Sequence, residues 1–250
     1  MRILREALGG SLVGAYLHGS AVRGELRPTS DLDILAIVDR PTTGDERRAI
    51  VDGLLQVSGR DAPRGPARPV ELTLVQQGQL KPWHPAPLVD LLYGEWLRTS
   101  FEGGDIPEPR TMPDLAPEIT LALAGNRALF GPPPREAMDP VPRGDLRRAV
   151  VAGIPSLLAD LDRDQRNVLL TFARILATLE TDEILPKDEA AELVAHRLSP
   201  ASRELLLTAR QMYVEGVGDE AAGAAWAASR PAALEAATEL ISEIAGFETD

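Results

Sequence analysis

The stretch LHGSAVRGELRPTSDLDIL, residues 17–35, decides the fold because it joins two predicted strands through a turn rich in polar groups. The apolar run Val13–Leu17 predicts the first strand, and the run Leu32–Val38 predicts the second. Between them, Gly19-Ser20 forms a predicted turn that leads toward a helix. Such a turn exposes backbone N–H groups and a hydroxyl, which suit phosphate oxygens, and a helix N-terminus adds positive potential. The segment therefore predicts a phosphate-binding turn.

Three carboxylates accompany this turn, and each stands near the start of a predicted strand. Asp31 and Asp33 are two residues apart, so their side chains project from the same face. Two carboxylates that close repel each other unless a cation lies between them, and oxygen-only ligands favour Mg²⁺. Glu71 lies on the polar face of the predicted strand Val70–Val75, where it either completes a metal site or removes a proton from an attacking hydroxyl. Each feature alone is typical of an ordinary turn or strand edge, but together they indicate phosphoryl chemistry.

The rest of the chain predicts two domains of different class. The first half continues with a helix over Asp45–Val57, a helix over Leu88–Leu97 and a loop over Gly103–Pro113. From about residue 114 no segment predicts a strand, and the predicted helices are 115–130, 144–161, 164–179, 187–198, 201–214 and 221–244. A cluster of prolines between residues 132 and 142 is typical of a domain boundary. We therefore expect an α+β fold, with a mixed sheet and flanking helices over residues 1–141 and an all-helical bundle over 142–250.

The amino-acid composition excludes several classes of protein and of chemistry. The 250 residues are 44% hydrophobic, which is ample for buried cores, and no apolar run approaches the length of a membrane span. The absence of cysteine excludes thiolate catalysis and cysteine-built zinc sites. A net charge of -12 opposes nonspecific nucleic-acid binding. An acidic surface either attracts a cationic ligand or serves only to keep the protein soluble. The start MRILREALGG lacks the apolar region of a secretory signal, so a cytoplasmic protein is expected.

The stretch 17–35 resembles the signature of the polymerase-β-type nucleotidyltransferases, and specifically of the aminoglycoside (3'')(9)-adenylyltransferases. Further segments resemble blocks of that family in the same order, namely 70–75, 93–98, 139–142, 164–175 and 186–188. The resemblance covers about residues 11 to 215. Two departures concern Gln165, which stands where an acidic residue is expected, and the Ala-rich region after Gly216, which shows little likeness.

The resemblance implies a role for each matched residue. The residues implied to bind ATP are Gly19, Ser20, Ser30, Asp114, Arg174, Lys187 and Tyr213. Those implied to hold Mg²⁺ are Asp31, Asp33 and Glu71, and Glu71 is also the implied catalytic base. Those implied to line the antibiotic site are Trp96, Asp160, Asp164 and Asn167. The sequence itself offers no structural reason for a cation at Lys187, which begins a predicted helix after Pro186.

The resemblance implies an enzyme that moves AMP from ATP to a hydroxyl of streptomycin or spectinomycin, in a cleft between its two domains. Pyrophosphate is released and the antibiotic is inactivated. A monomer with neither nucleic acid nor membrane as a partner is expected. Two alternatives stay open. A nucleotidyltransferase of the same fold with another acceptor is disfavoured by Trp96 and Asp160, and a non-catalytic nucleotide-binding module is disfavoured by the presence of all three carboxylates.

Overall fold

The computed structural model describes residues 1–22, 30–59, 67–112, 115–217, 226 and 229–247. The chain divides into two compact units, Met1–Pro142 and Arg143–Asp250, called below the N-terminal and C-terminal units. Within the described residues, every helix is too short or too polar to cross a membrane.

A six-stranded sheet forms the centre of the N-terminal unit, with the strand order β5-β4-β3-β2-β1-β6. Its strands are β1 Leu12–Leu17, β2 Leu32–Val38, β3 Val70–Gln76, β4 Leu88–Tyr93, β5 Arg110–Thr111 and β6 Arg127–Phe130. β2 and β3 pair in parallel, and the remaining neighbours pair antiparallel. The parallel pair is the central feature for function, because it brings the first residues of both strands to one edge of the sheet.

Helices cover both faces of this sheet. The helices of the unit are α1 Arg2–Leu8, α2 Gly44–Val57, α3 Gln77–Leu80, α4 Arg98–Glu102, α5 Leu115–Gly125 and α6 Pro134–Ala137. One core joins Ala36 and Leu72 of the sheet to Ile50 of α2. The other core joins Leu35 of the sheet to Ile119 of α5. Residues of one strand therefore alternate between two separate cores, as the two-residue period of a strand requires.

The C-terminal unit is helical throughout its described residues. Its helices are α7 Arg143–Ala152, α8 Ile154–Ala159, α9 Gln165–Thr181, α10 Lys187–Val194, α11 Pro200–Val214 and α12 Arg230–Gly246. Short 3-10 turns also occur, as at Ala195–Arg197. α9 is the central helix, because α10, α11 and α12 all pack against it. The Asp164 side chain caps its first turn by accepting a hydrogen bond from the Asn167 backbone N–H at 3.1 Å, and Asp182 ends it in the left-handed conformation with φ 58.

Four sequence predictions of secondary structure are wrong. The predicted loop Gly103–Pro113 contains the short strand β5, and the predicted helix 144–161 is divided at Gly153 into α7 and α8. The predicted helix over Leu88–Leu97 is strand β4, followed by a 3-10 turn over Glu95–Leu97. Both faces of β4 are largely covered, and its apolar residues, interrupted only by the buried Asp90, show no alternation that would distinguish a strand from a buried helix. The predicted helix 115–130 ends at Gly125, because Asn126 turns the chain with φ 47 into β6. Of the helix predicted over 221–244, the described residues include Trp226, which is helical, and those of α12, which begins at Arg230.

Candidate active site

The two carboxylates Asp33 and Glu71 meet at one edge of the sheet. They are register partners in the parallel pair β2–β3, so their side chains leave the same face of neighbouring strands. Asp31 lies just before β2, two residues from Asp33. The starts of the two strands are joined there, because the Leu32 N–H donates to the Pro69 carbonyl at 2.9 Å. Parallel pairing therefore brings together carboxylates that are far apart in the sequence.

The Gly-Ser turn packs directly against Asp33. Gly19 begins a 3-10 turn, Gly19–Ala21, with φ 65, a conformation that side chains other than hydrogen rarely tolerate. A Cβ atom built on Gly19 would lie 2.0 Å from the Asp33 Oδ2 atom. The backbone is also tied there, since the His18 N–H donates to the Asp33 carbonyl at 3.0 Å. Glycine is thus required for the turn that carries Ser20 to approach Asp33 so closely.

Sequence reasoning gave no site role to His18 or Arg68. His18 is buried directly before the Gly-Ser turn, and burial lowers its pKa to about 4, so its ring is neutral at pH 7. Arg68 donates to the Ser30 carbonyl at 2.9 Å and thereby holds the chain that leads into Asp31. The position of His18 beside the turn could have drawn attention to it. The contact of Arg68 could not be foreseen, because it joins loops that are 38 residues apart.

Trp96 is the most exposed large apolar side chain of the described residues, with 57% of its surface accessible. Its ring lies over Gly94, where an added Cβ atom would be 2.2 Å from the indole Cζ3 atom. In the antiparallel pair β3–β4, Leu72 is the partner of Tyr93, so the same register continued by one residue brings Gly94 level with Glu71. Trp96 therefore stands on the sheet edge that carries the carboxylates.

In the C-terminal unit, the structure joins three of the predicted site residues. Lys187 is the first residue of α10, and its Nζ donates a hydrogen bond to Asn167 Oδ1. Asn167 in turn donates its backbone N–H to Asp164, as described above. This contact gives Lys187 the local partner that the sequence alone did not reveal. A cation, an amide and a carboxylate thus form one polar group at the starts of α9 and α10.

The remaining predicted residues of this unit lie around that group or apart from it. Asp160 is in the turn before α9, where its carbonyl accepts the Asp164 N–H at 3.1 Å, and its exposed side chain faces Arg163 at 3.7 Å. Arg174 follows Asn167 by seven residues and so lies on the same face of α9, two turns further on. Tyr213 is partly buried on α11, against the core of the unit. Asp114 lies outside the described residues.

Within the described part of the chain, no three acidic or histidine side chains are grouped as a ready metal site. Mg²⁺ does not require such a group, because it is commonly held by one or two carboxylates together with substrate phosphates and water. The donors present fit that pattern: oxygen ligands on paired strands, beside a turn whose glycine leaves room at Asp33 Oδ2.

Two family models match this chain, one in the N-terminal unit and one mainly in the C-terminal unit. Residues 1–64 match the family model for the nucleotidyltransferase domain, which defines the N-terminal unit as that of a nucleotidyl-transferring enzyme. Residues 136–242 match the family described as aminoglycoside adenylyltransferase, C-terminal domain.

Individual relatives agree with these matches. Spectinomycin 9-adenylyltransferase from Staphylococcus aureus is 38% identical over 213 residues, which cover 85% of this chain and 82% of that protein. Aminoglycoside (3'')(9) adenylyltransferase from Klebsiella pneumoniae is 36% identical over 215 residues, which cover 85% and 82%. The crystal structure of spectinomycin adenyltransferase AAD(9) from Enterococcus faecalis, with ATP and spectinomycin, superposes with a TM-score of 0.84 at 29% identity, covering 96% of this chain and 95% of that one. The chain therefore belongs to the aminoglycoside adenylyltransferase family, and the resemblance, the fold class and the enzyme class predicted from the sequence are confirmed.

Proposed function

We propose that this protein transfers AMP from ATP to a hydroxyl of spectinomycin or streptomycin and releases pyrophosphate. The observation that carries the proposal is the register pairing of Asp33 with Glu71 beside the Gly19 turn. Two relatives of this chain are named spectinomycin 9-adenylyltransferase and aminoglycoside (3'')(9) adenylyltransferase, which supports the proposal. Attachment of AMP to the hydroxyl would inactivate the antibiotic. We further propose that the protein is a cytoplasmic monomer that does not bind nucleic acid.

The register of Glu71 supports a role as general base. It shares an edge and a face with Asp33, so a hydroxyl that approaches the bound nucleotide from this face meets its carboxylate. We propose that Glu71 takes the proton of the antibiotic hydroxyl as the oxygen attacks the α-phosphorus of ATP. The bond from that phosphorus to the bridging oxygen then breaks, and pyrophosphate leaves. Two reactants held in line react far faster than they would free in solution.

The residues proposed to bind the nucleotide are those that the resemblance implies. The Gly19 and Ser20 turn and Ser30 contact its phosphates, and Lys187, Arg174 and Tyr213, together with Asp114, contribute to its binding. Asp31, Asp33 and Glu71 would hold Mg²⁺, which when bound neutralises phosphate charge. An ammonium group such as that of Lys187 is suited to the same task at the leaving pyrophosphate.

The acceptor is proposed to contact Trp96, Asp160, Asp164 and Asn167. Streptomycin carries guanidinium groups, which stack on an indole face and pair with a carboxylate in bidentate fashion. Spectinomycin has only secondary amines, so it offers fewer such contacts. The two antibiotics should therefore depend unequally on Trp96 and Asp160, with the larger dependence for streptomycin.

Substitution of the paired carboxylates tests the chemistry. We expect Asp33→Asn to abolish AMP transfer, and Glu71→Gln to lower turnover by a factor on the order of 10² to 10⁴, the range for loss of a positioned base. Pyrophosphate release reports turnover, and calorimetry reports binding of ATP with Mg²⁺. Glu71→Gln should retain nucleotide affinity, because the carboxylates of Asp31 and Asp33 remain.

The matched control is Asp39→Asn, which removes an exposed carboxylate that follows the opposite end of β2. It should leave turnover near the wild-type value. Near wild-type turnover in Asp33→Asn would overturn the proposed chemistry. A collapse of nucleotide affinity in Glu71→Gln would instead make Glu71 chiefly a metal ligand and require another base.

A further inference from the structure

Glu95, the residue before Trp96, is the centre of a partly buried hydrogen-bond network that the proposed chemistry does not use. Glu95 accepts hydrogen bonds from the Ser58 hydroxyl at 2.5 Å, from the Tyr93 hydroxyl at 3.0 Å and from Arg98 at 2.5 and 2.9 Å. The side chains of Glu95 and Arg98 are only 14% and 10% exposed. These four residues, Ser58, Tyr93, Glu95 and Arg98, are called the Glu95 network below.

The Glu95 network is tied to the strand that carries Glu71. The Ser58 hydroxyl accepts the Val70 N–H at 3.0 Å, and Val70 directly precedes Glu71 in the chain. Arg98 also donates to the Ser58 carbonyl at 3.1 Å and to the Leu55 carbonyl at 3.3 Å, so the end of α2 is held as well. One partly buried carboxylate thus connects the end of α2, the start of β3 and the turn that follows β4.

The network and the proposed catalytic groups lie on opposite faces of the sheet. Tyr93 belongs to the core that contains Leu72, and its ring stacks on Phe101 with centroids 5.2 Å apart. Because side chains alternate along a strand, a side chain at Gly94 would point to the other face of the sheet, which is the face of Glu71. The Trp96 indole occupies that position. The turn between Tyr93 and Arg98 is therefore anchored from one face and presents Trp96 on the other.

We propose that Glu95 is a positioning residue that fixes the Trp96 indole relative to the Glu71 carboxylate and so sets the affinity for the antibiotic. This inference rests on the proposed function. The Glu95 side chain bonds neither the Trp96 indole nor the Glu71 carboxylate directly. It acts through the backbone of the turn that carries Trp96 and through Ser58, which holds the start of β3. The nucleotide-binding turn at Gly19 follows β1 and is not part of the network.

Glu95→Gln is the sharpest variant, because it keeps the size of the side chain and places an NH₂ group or a neutral oxygen against the Arg98 guanidinium. A displacement of about 1 Å at a positioned group costs on the order of 10²-fold in rate. We expect kcat/KM for the antibiotic to fall by about 10- to 100-fold, chiefly through KM. The Kd for ATP with Mg²⁺ should stay within about twofold.

The matched control is Glu46→Gln, which breaks another ion pair between arginine and glutamate. Glu46 is bonded by Arg40 at 2.6 and 3.0 Å and is 17% exposed, but it lies past the opposite end of β2 from Asp33. It should change stability and leave the antibiotic KM unchanged. Tyr93→Phe is a milder second variant, since it keeps the stacked ring and removes only one hydrogen bond to Glu95. It should raise the antibiotic KM by a smaller factor than Glu95→Gln.

A second measurement separates positioning from catalysis. The fluorescence difference between each protein and its Trp96→Phe derivative isolates the emission of Trp96, and acrylamide quenching of that emission reports its surroundings. Glu95→Gln should change the quenching and Glu46→Gln should not. Unchanged antibiotic KM and unchanged quenching in Glu95→Gln and Tyr93→Phe would overturn the inference, as would an equal loss of ATP affinity. If wild-type protein transfers AMP to neither antibiotic, the proposed function fails, and the quenching result still decides whether Glu95 positions Trp96.

Discussion

Gly19 combines two constraints that no other amino acid satisfies. Its φ of 65 favours glycine, and an added methyl group would meet Asp33 Oδ2 at 2.0 Å. Gly19→Ala must therefore shift either the turn that carries Ser20 or the Asp33 carboxylate. We expect turnover to fall by about 10²-fold or more, as misplacement of reacting groups does.

The control for this substitution is Gly10→Ala. Gly10 lies before β1, has no atom within 4 Å of the built Cβ and has an ordinary φ. Both proteins should be compared by pyrophosphate release and by thermal unfolding. Turnover in Gly19→Ala equal to that in Gly10→Ala would show that the turn does not need to approach Asp33 as closely as it does.

Single residues differ in how far the sequence alone could assign them. The pairing of Asp33 with Glu71 could be expected, because acidic residues at strand starts meet when those strands lie side by side. The partner of Lys187 could not, because its contact with Asn167 joins two helices across 20 residues. The Glu95 network was equally invisible: its segment was predicted to be a helix, in which Tyr93 and Glu95 would not share a face.

At the scale of elements, α2 shows how charge fixes the start of a helix. Thr43 and Glu46 form a reciprocal capping box, and Arg40 adds an ion pair to Glu46. Hydrogen bonding from Arg40 is the largest of the effects that hold the pKa of Glu46 at about 2. A carboxyl group whose pKa is depressed in the folded state stabilises that state above its unfolded pKa, and this contribution is lost as the pH falls through the folded pKa.

Glu46→Gln isolates that charge effect, because glutamine also serves in a capping box. We expect the wild type to melt at a higher temperature than the variant at pH 7. The difference should shrink as the pH falls below about 4, where an unfolded glutamate takes up its proton. Thermal melts from pH 7 to pH 3 measure it. A difference that grows at low pH would contradict the depressed pKa of Glu46.

The elements that the sequence predicted correctly have clear local signals, and the missed ones do not. β3 alternates Glu71 and Thr73 with apolar neighbours, so its strand period is visible. β4 has apolar residues on both faces because each face of the sheet is covered by a core, with Leu91 in one and Val89 in the other. β6 has four residues and only its pairing with β1 makes it a strand. Tertiary pairing, rather than local preference, decides such segments.

At the scale of the whole molecule, the described residues build separate cores for the two units. The cores on the two faces of the sheet consist of residues from the N-terminal unit. The helical core around α9 consists of residues from the C-terminal unit, and it includes Trp226. Units with their own cores commonly unfold as separate cooperative transitions.

Leu176→Ala and Leu74→Ala test this independence, because each removes a fully buried side chain from one core only. Each should cost about 2 to 5 kcal/mol, since the cavity left behind closes incompletely. Trp226 is the only tryptophan of the C-terminal unit, so a background of Trp83→Phe and Trp96→Phe makes its fluorescence a reporter of that unit. In urea titrations, Leu176→Ala should lower the midpoint seen by Trp226, whereas Leu74→Ala should leave it in place, because the cavity is then in a core that unfolds separately. Equal shifts from both substitutions would mean that the chain unfolds as one cooperative unit despite its two kinds of core.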